Sequence, residues 1–227
     1  MMFRIFSLDN DIVLDKHYIN VLEVHDKSFA VKIIKKLICE EDIYDDEFLI
    51  LLDKDKEINL QKNSIVITDL FSINFNDKKI TNKLYSLLED EIKMDESFYI
   101  ELNEINQLIS NLLKDKINQS NFDLELEQEL KIKGLLKHYN VKISQNKEDN
   151  SLNDLFNYLD LIIELNLCKI IFVVNLKSYL NDEQLKEAYK YFLYKKVNIL
   201  LIETNKYEKL ANEKKLIIDE FFDDYYV

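Results

Sequence analysis

Between Glu129 and Glu148 the chain carries no acidic residue, yet Lys131, Lys133, Lys137, Lys142 and Lys147 fall there, with His138. In a sequence with 43 Asp and Glu, this is the longest positively charged stretch. A lysine ammonium on a flexible stem meets a phosphate as a point charge, so the stretch suits contact with a nucleic-acid backbone. It suits a solvated helix face equally well. A second group, Lys27, Lys32, Lys35 and Lys36, lies upstream. The only arginine is Arg4, so bidentate guanine recognition is hardly available. DNA binding by such a chain would read phosphate and shape rather than base sequence.

Asp123, Glu125, Glu127 and Glu129 alternate with Phe122, Leu124 and Leu126. In an extended segment the four carboxylates fall on one side and repel one another. A hard cation such as Ca²⁺ relieves that repulsion, and so does solvent. The same carboxylates with a lysine give the alternative chemistry, a metal-dependent nuclease. Asp53-Lys54-Asp55-Lys56-Glu57 resembles the start of an EF-hand loop but fails, with Ile58 at the turn position and Ser64 at the twelfth. His17, His25 and His138 have no metal spacing, and no serine sits in a nucleophile elbow. Gly134 is the only glycine and proline is absent. A Walker A loop needs several glycines to bring backbone N–H groups to a phosphate, so hydrolysis of ATP by a standard P-loop is excluded.

The net charge of −13 argues against a nucleic-acid partner on average. A local basic surface overrides that average within a Debye length of ~10 Å. Cys39 and Cys168 lie in or beside apolar segments and read as two buried free thiols. The first ten residues do not read as a signal peptide, and no apolar stretch approaches the ~20 residues of a membrane helix. A soluble cytoplasmic protein is expected.

These groups need elements to hold them. Short strands are predicted at Phe3–Phe6, Ile12–Leu14 and Asn20–Val24, then a helix over Lys27–Cys39 capped by Asp26. Its core face is Phe29, Ile33, Ile34, Leu37 and Ile38, with Lys32, Lys35 and Lys36 on another side. Phe48–Leu52 and Ile65–Thr68 have the length and type of buried strands. From about Asn74 to Leu136 the pattern is helical, notably Leu84, Leu87, Leu88, Ile92 and then Ile100 to Leu113. Ser151 opens a further helix with Leu152, Leu155, Phe156, Leu159, Ile162 and Ile163 on one stripe. A strand at Lys169–Val174, a helix capped by Asn181 or Asp182, and a strand at Asn198–Ile202 complete a strand–helix–strand unit. Such a unit implies a parallel sheet, hence an α/β fold. Asn175 ends its strand where an ATPase would carry a Walker B carboxylate. The Glu40–Glu47 run and the tail Asp219–Val227 read as solvated loops or edges.

The stretch Lys169–Asn205 resembles the C-terminal signature of the CRISPR-associated Csn-two family, the ring-forming DNA-end-binding subunit of subtype II-A spacer acquisition. That signature is an apolar strand ending in Asn-x-x-Ser/Thr-Tyr/Phe-Leu/Phe, an acidic-capped helix, and a strand closing in a Leu-Ile/Leu-Glu step. Here these are Val174-Asn175-Leu176-Lys177-Ser178-Tyr179-Leu180, Asp182-Glu183 and Leu201-Ile202-Glu203. Ser64–Leu70 resembles the family's strand into its helical leg. Phe122–Glu125 and Leu135–Ile143 resemble the acidic segment, the helix and the Val-x-Ile strand that return to the head.

The resemblance implies an α/β head with a mostly parallel sheet, similar to a P-loop NTPase without Walker A, over residues 1–70 and 140–227. A helical leg spans residues 71–139. It implies a non-catalytic homotetrameric ring that binds linear double-stranded DNA ends without sequence preference, uses no nucleotide or membrane, and is steadied by Ca²⁺. Asp123, Glu125, Glu127 and Glu129 become the expected Ca²⁺ ligands. Lys131, Lys133, Lys137 and Lys142 become the expected DNA contacts, with Lys32, Lys35 and Lys36 second. The implied partners are the CRISPR integrase subunits and the effector nuclease.

Overall fold

A computed structural model describes residues 1–39, 48–144 and 151–227. The Glu40–Glu47 run and Lys147 lie outside the described residues. The elements begin β1 (Met2–Ile5), β2 (Ile12–Val13), β3 (Ile19–Val24), α1 (Lys27–Ile38), β4 (Leu49–Asp53), β5 (Lys56–Ile58), α2 (Leu60–Asn63) and β6 (Ser64–Ile67). They continue α3 (Lys78–Met94), α4 (Glu96–Ile117), α5 (Ile132–His138), α6 (Ser151–Glu164), β7 (Ile170–Val174) and α7 (Leu176–Tyr179). They end α8 (Asp182–Lys195), β8 (Ile199–Glu203), β9 (Glu213–Ile218) and β10 (Asp224–Tyr226). The chain divides into one unit of Met1–Asn74 with Lys147–Val227 and another of Phe75–Asn146.

The first unit is mixed α/β. Its six-stranded sheet has the order β10-β9-β3-β8-β7-β6 and is parallel except for the β10–β9 edge pair. Alternate residues explain why β7 and β8 read as unbroken apolar runs: both faces of each strand are covered. Leu22, Val24, Phe172, Leu200 and Ile202 enter one core with Phe29, Ile33 and Leu37 of α1 and with Phe3, Ile5 and Leu51. Phe3 meets Phe172 edge-on, ring centroids 5.1 Å apart. On the opposite face Tyr189 of α8 reaches Glu213 of β9, and Tyr191 of α8 stacks on Phe156 of α6 at 4.1 Å. Asn181 caps α8 in a reciprocal box with Gln184.

Several expectations change. The strand expected at Phe48–Leu52 forms, as Leu49–Asp53, but it is half covered rather than buried. As β4 it joins a four-stranded antiparallel sheet, order β2-β1-β4-β5, whose burial alternates because only one face meets the core. The hairpin turn at Lys54-Asp55, both left-handed in φ, reverses the chain into β5. Ile38 is 52 % exposed and Cys39 is exposed, because α1 ends one residue past its last buried side chain, Leu37. Cys168 is half-buried, so neither thiol is a buried one, and neither is in a disulfide. Ile163 is also exposed, at the edge of the α6 stripe. The strand β9 escapes the sequence pattern, because charged Glu213, Lys214 and Lys215 fill its first half.

The second unit is helical among its described residues. Asp77 caps α3 and Asp95 caps α4, each carboxylate accepting from the backbone N–H three residues on. Ile80 and Ile132 are its fully buried apolar side chains among the described residues. Val141-Lys142-Ile143 is not a strand. Asn76 offers its side-chain amide in place of a neighbouring strand: Nδ2 donates to Ile143 O and Oδ1 accepts from Ile143 N. Tyr85 Oη donates to Val141 O at 2.8 Å. Among the described residues, no helix is long and apolar enough to cross a membrane.

Candidate nucleic-acid interface

Helix α3 places Lys78, Thr81, Asn82, Tyr85 and Ser86 along one wall of a groove of about 560 Å³. Helix α5 supplies Lys133, Gly134 and Lys137 to the other wall. Among the described residues no carboxylate lines it. Thr81 Oγ1 donates to Asp77 O and Ser86 Oγ to Asn82 O, so both hydroxyl protons are engaged by α3 itself. Lys133 Nζ lies 3.3 Å from Glu89, which also holds Lys93 at 3.1 Å. Those two ammonium groups keep the Glu89 carboxyl below its usual pKa, Lys93 contributing most. Lys78 and Lys137 have no carboxylate partner among the described residues.

The expected lysines separate. Lys133 and Lys137 stand in the groove. Lys131, just outside α5, pairs with Glu127 at 2.5 Å, which raises the pKa of its ammonium. Lys142 is exposed on the segment after α5. Lys32, Lys35 and Lys36 lie on α1 of the other unit, with Lys32 over the Phe48 ring at 4.0 Å. Lys78 and Asn82 are lining residues that the sequence reading misses. Lys78 follows the Asp77 cap, and only the packing of α3 on α5 brings it beside Lys137.

Asp123, Glu125, Glu127 and Glu129 are distributed along an irregular run before α5, on its solvent side. Ca²⁺ takes roughly six to eight oxygen ligands at about 2.3–2.6 Å, so several carboxylates must converge on one point. Among the described residues no three His, Cys, Asp or Glu gather to hold a metal, and Glu127 is engaged by Lys131. The four carboxylates as placed do not fit the ion.

A second charged group extends from the carboxyl ends of β3 and β8, the end of an open α/β sheet at which ligands bind, back to Lys215 within β9 and Glu213 at its start. Glu23 lies near the end of β3, Glu203 ends β8, and β8 is the strand beside β3; Asn175 follows β7, one strand further out. Lys215 Nζ meets Glu23 Oε2 at 2.5 Å, and His25 Nε2 meets Glu23 Oε1 at 2.8 Å. Tyr207 N also donates to Glu23. Tyr189 Oη donates to Glu213 at 2.5 Å, burial and that carboxylate raising the phenol's pKa. Lys177 N donates to Glu203 Oε1, while Glu203 Oε2 has no partner among the described residues. Burial lifts the Glu203 carboxyl from 4.5 to about 7. Asn175, in the left-handed region, accepts from Thr204 N and Oγ1 at 2.9 Å each. These side chains are turned on one another and act as internal structure. Sequence reasoning singles out Asn175 and Glu203 but misses Glu23, Glu213 and Lys215, because these charges lie within or open a strand and their partners are distant in sequence.

The chain matches the family described as CRISPR-associated protein (Cas_Csn2) over residues 42–224, well over half its length, and belongs to it. Membership implies a role in CRISPR adaptation. A comparison with curated proteins gives no match.

Proposed function

We propose that this protein is a non-catalytic binder of linear double-stranded DNA ends in subtype II-A spacer acquisition. The groove between α3 and α5 carries the reading: lysines from both helices line it and, among the described residues, no carboxylate does. Such a surface neutralises phosphates without reading bases. Lys133 and Lys137 in the groove, with Lys131 and Lys142 outside it, are the principal DNA contacts, and Lys32, Lys35 and Lys36 are second.

The protein works as a homotetrameric ring. Helix α4 supports self-assembly, since Leu108 is 66 % exposed and Leu112 70 %, beside exposed Ile105 and Ile109. An apolar face of this kind on one chain favours burial against another. A ring reconciles the net charge of −13 with DNA, because lysines repeated around a hole focus positive potential while the acidic exterior stays clear.

No nucleotide is used. The α/β unit resembles a P-loop NTPase head without Walker A, and β3 passes into α1 through His25 and Asp26 alone. Asp26 Oδ1 accepts from Phe29 N at 2.7 Å, so a carboxylate takes the helix amide that a phosphate would need. The acidic residues at 123–129, as placed, do not converge on a calcium ion, and the DNA reading uses no step through one. The integrase subunits and the effector nuclease are the expected partners, in the cytoplasm.

A mobility shift on linear and covalently closed circular duplexes, with Ca²⁺ or chelator, tests this reading. Retention of linear DNA, little retention of circles and no cleavage are expected. Loss of DNA with Mg²⁺, abolished by Glu125→Gln, would establish the nuclease alternative instead.

A further inference from the structure

We infer that the α3–α5 groove seats a DNA phosphate directly against the backbone of α5 at Gly134, with Lys78, Lys137 and Asn82 as donors. The inference rests on the DNA-binding reading and assigns contacts that reading does not contain. Gly134 is the only glycine among 227 residues, and it lies inside α5, where glycine is disfavoured relative to alanine.

The fold does not require it there. Its φ is not in the left-handed region, and a Cβ built on it would meet only Lys131 Cβ, at 3.4 Å, an ordinary contact. Positions that do call for glycine's freedom are filled otherwise: Asn140, Asn166, Asn175 and Asn212 all have positive φ. The chain therefore manages without glycine where its backbone turns left-handed and keeps one where its own packing leaves room for a side chain. Gly134 itself lines the groove. A smooth helix surface admits a sugar-phosphate chain closer to α5 than any side chain would.

The donors match an anion. Lys78 and Lys137 have no carboxylate partner among the described residues, and the exposed Asn82 side-chain amide makes no hydrogen bond to them either. Their Nζ and Nδ2 hydrogens can be given to phosphate oxygens without breaking an internal bond. Lys133, held by Glu89, guards the rim.

The test measures affinity of the full chain for a short linear duplex over a salt series, with thermal unfolding of each variant alongside. Lys78→Gln and Lys137→Gln are each expected to weaken binding roughly tenfold at low salt. Each should also lower the salt slope by about 0.9. Gly134→Ala is expected to weaken binding while its unfolding temperature stays equal to the parent's or rises. Lys56→Gln, on the β4–β5 hairpin, should bind like the parent. If the parent binds and Lys131→Gln or Lys142→Gln weakens it, but the groove variants do not, the seat is wrong and the DNA reading stands. If Gly134→Ala alone matches the parent, the close approach at α5 is overturned. A parent that binds no linear duplex removes both.

Discussion

Lys177 Nζ lies 2.7 Å from Glu213 Oε1, with both side chains almost wholly withdrawn from solvent. The contact is an ion pair rather than an aligned hydrogen bond, since Nζ has no acceptor at hydrogen-bonding geometry among the described residues. Glu213 gains a second partner in Tyr189, and its other oxygen accepts from Leu210 N. Truncating one member of a buried pair leaves the other charge unpaired. Lys177→Met should therefore cost about 3–5 kcal/mol of stability in denaturant unfolding. Adding Glu213→Gln to it should recover a large part of that loss, and no recovery would mean that the charges are not coupled.

Glu203 gives the protein a pH dependence of a definite sign. Its carboxyl is raised by burial to about 7, so the native chain holds a proton that the unfolded chain releases near 4.5. Stability from this group is fully present below 4.5 and is lost as pH rises through about 7. The difference in unfolding free energy, parent minus Glu203→Gln, should fall across that window by up to about 1.4 kcal/mol per pH unit. A difference that is flat from acid to neutral pH contradicts the assignment. Glu23 acts oppositely, its carboxyl held low by Lys215 and His25 against desolvation. Its contribution is lost only in acid, as pH falls below the ordinary carboxylate range, outside the Glu203 window.

The β4–β5 turn stores a local cost. Lys54 and Asp55 have φ of 52° and 61°, a conformation that asparagine and glycine adopt more easily. Asp55→Gly should stabilise the fold by about 1 kcal/mol, read from the denaturant midpoint at unchanged m-value. A loss of stability would show that the Asp55 side chain does something here beyond turning the chain.

Helix α4 offers a test of assembly that does not involve DNA. Leu108→Lys with Leu112→Lys places two charges on the exposed apolar face. Sedimentation should show the parent as a tetramer and the variant as a smaller species, with helix content unchanged. Equal masses for the two would take α4 out of the assembly.

Much of this architecture can be read in the residues. The apolar runs at β7 and β8, the Asn181 cap and the α8 stripe of Leu185, Ala188, Tyr189 and Phe192 state a parallel strand–helix–strand unit by their pattern. Asp26 states where α1 begins. The reading fails where pairing is non-local. Phe48–Leu52 has the composition of a central strand, and only its antiparallel partners β1 and β5 reveal a half-covered sheet. Lys215 lies in a strand because Glu23, far away in sequence, compensates its charge. The site is half legible. Lys133 and Lys137 stand out as a charge-pure stretch, whereas Lys78 joins them only through the packing of α3 on α5. For Asp123 to Glu129 spacing alone is informative, and the irregular chain there does not draw the carboxylates together.

The most direct measurement is the salt dependence of binding to a linear duplex, parent against a variant with Lys131, Lys133, Lys137 and Lys142 all changed to Gln. The account predicts tight binding by the parent at low salt and a steep decline with log salt. It predicts weaker binding and a slope shallower by about 0.9 for each phosphate contact removed in the variant. Identical affinity and identical slope in the two proteins would contradict it.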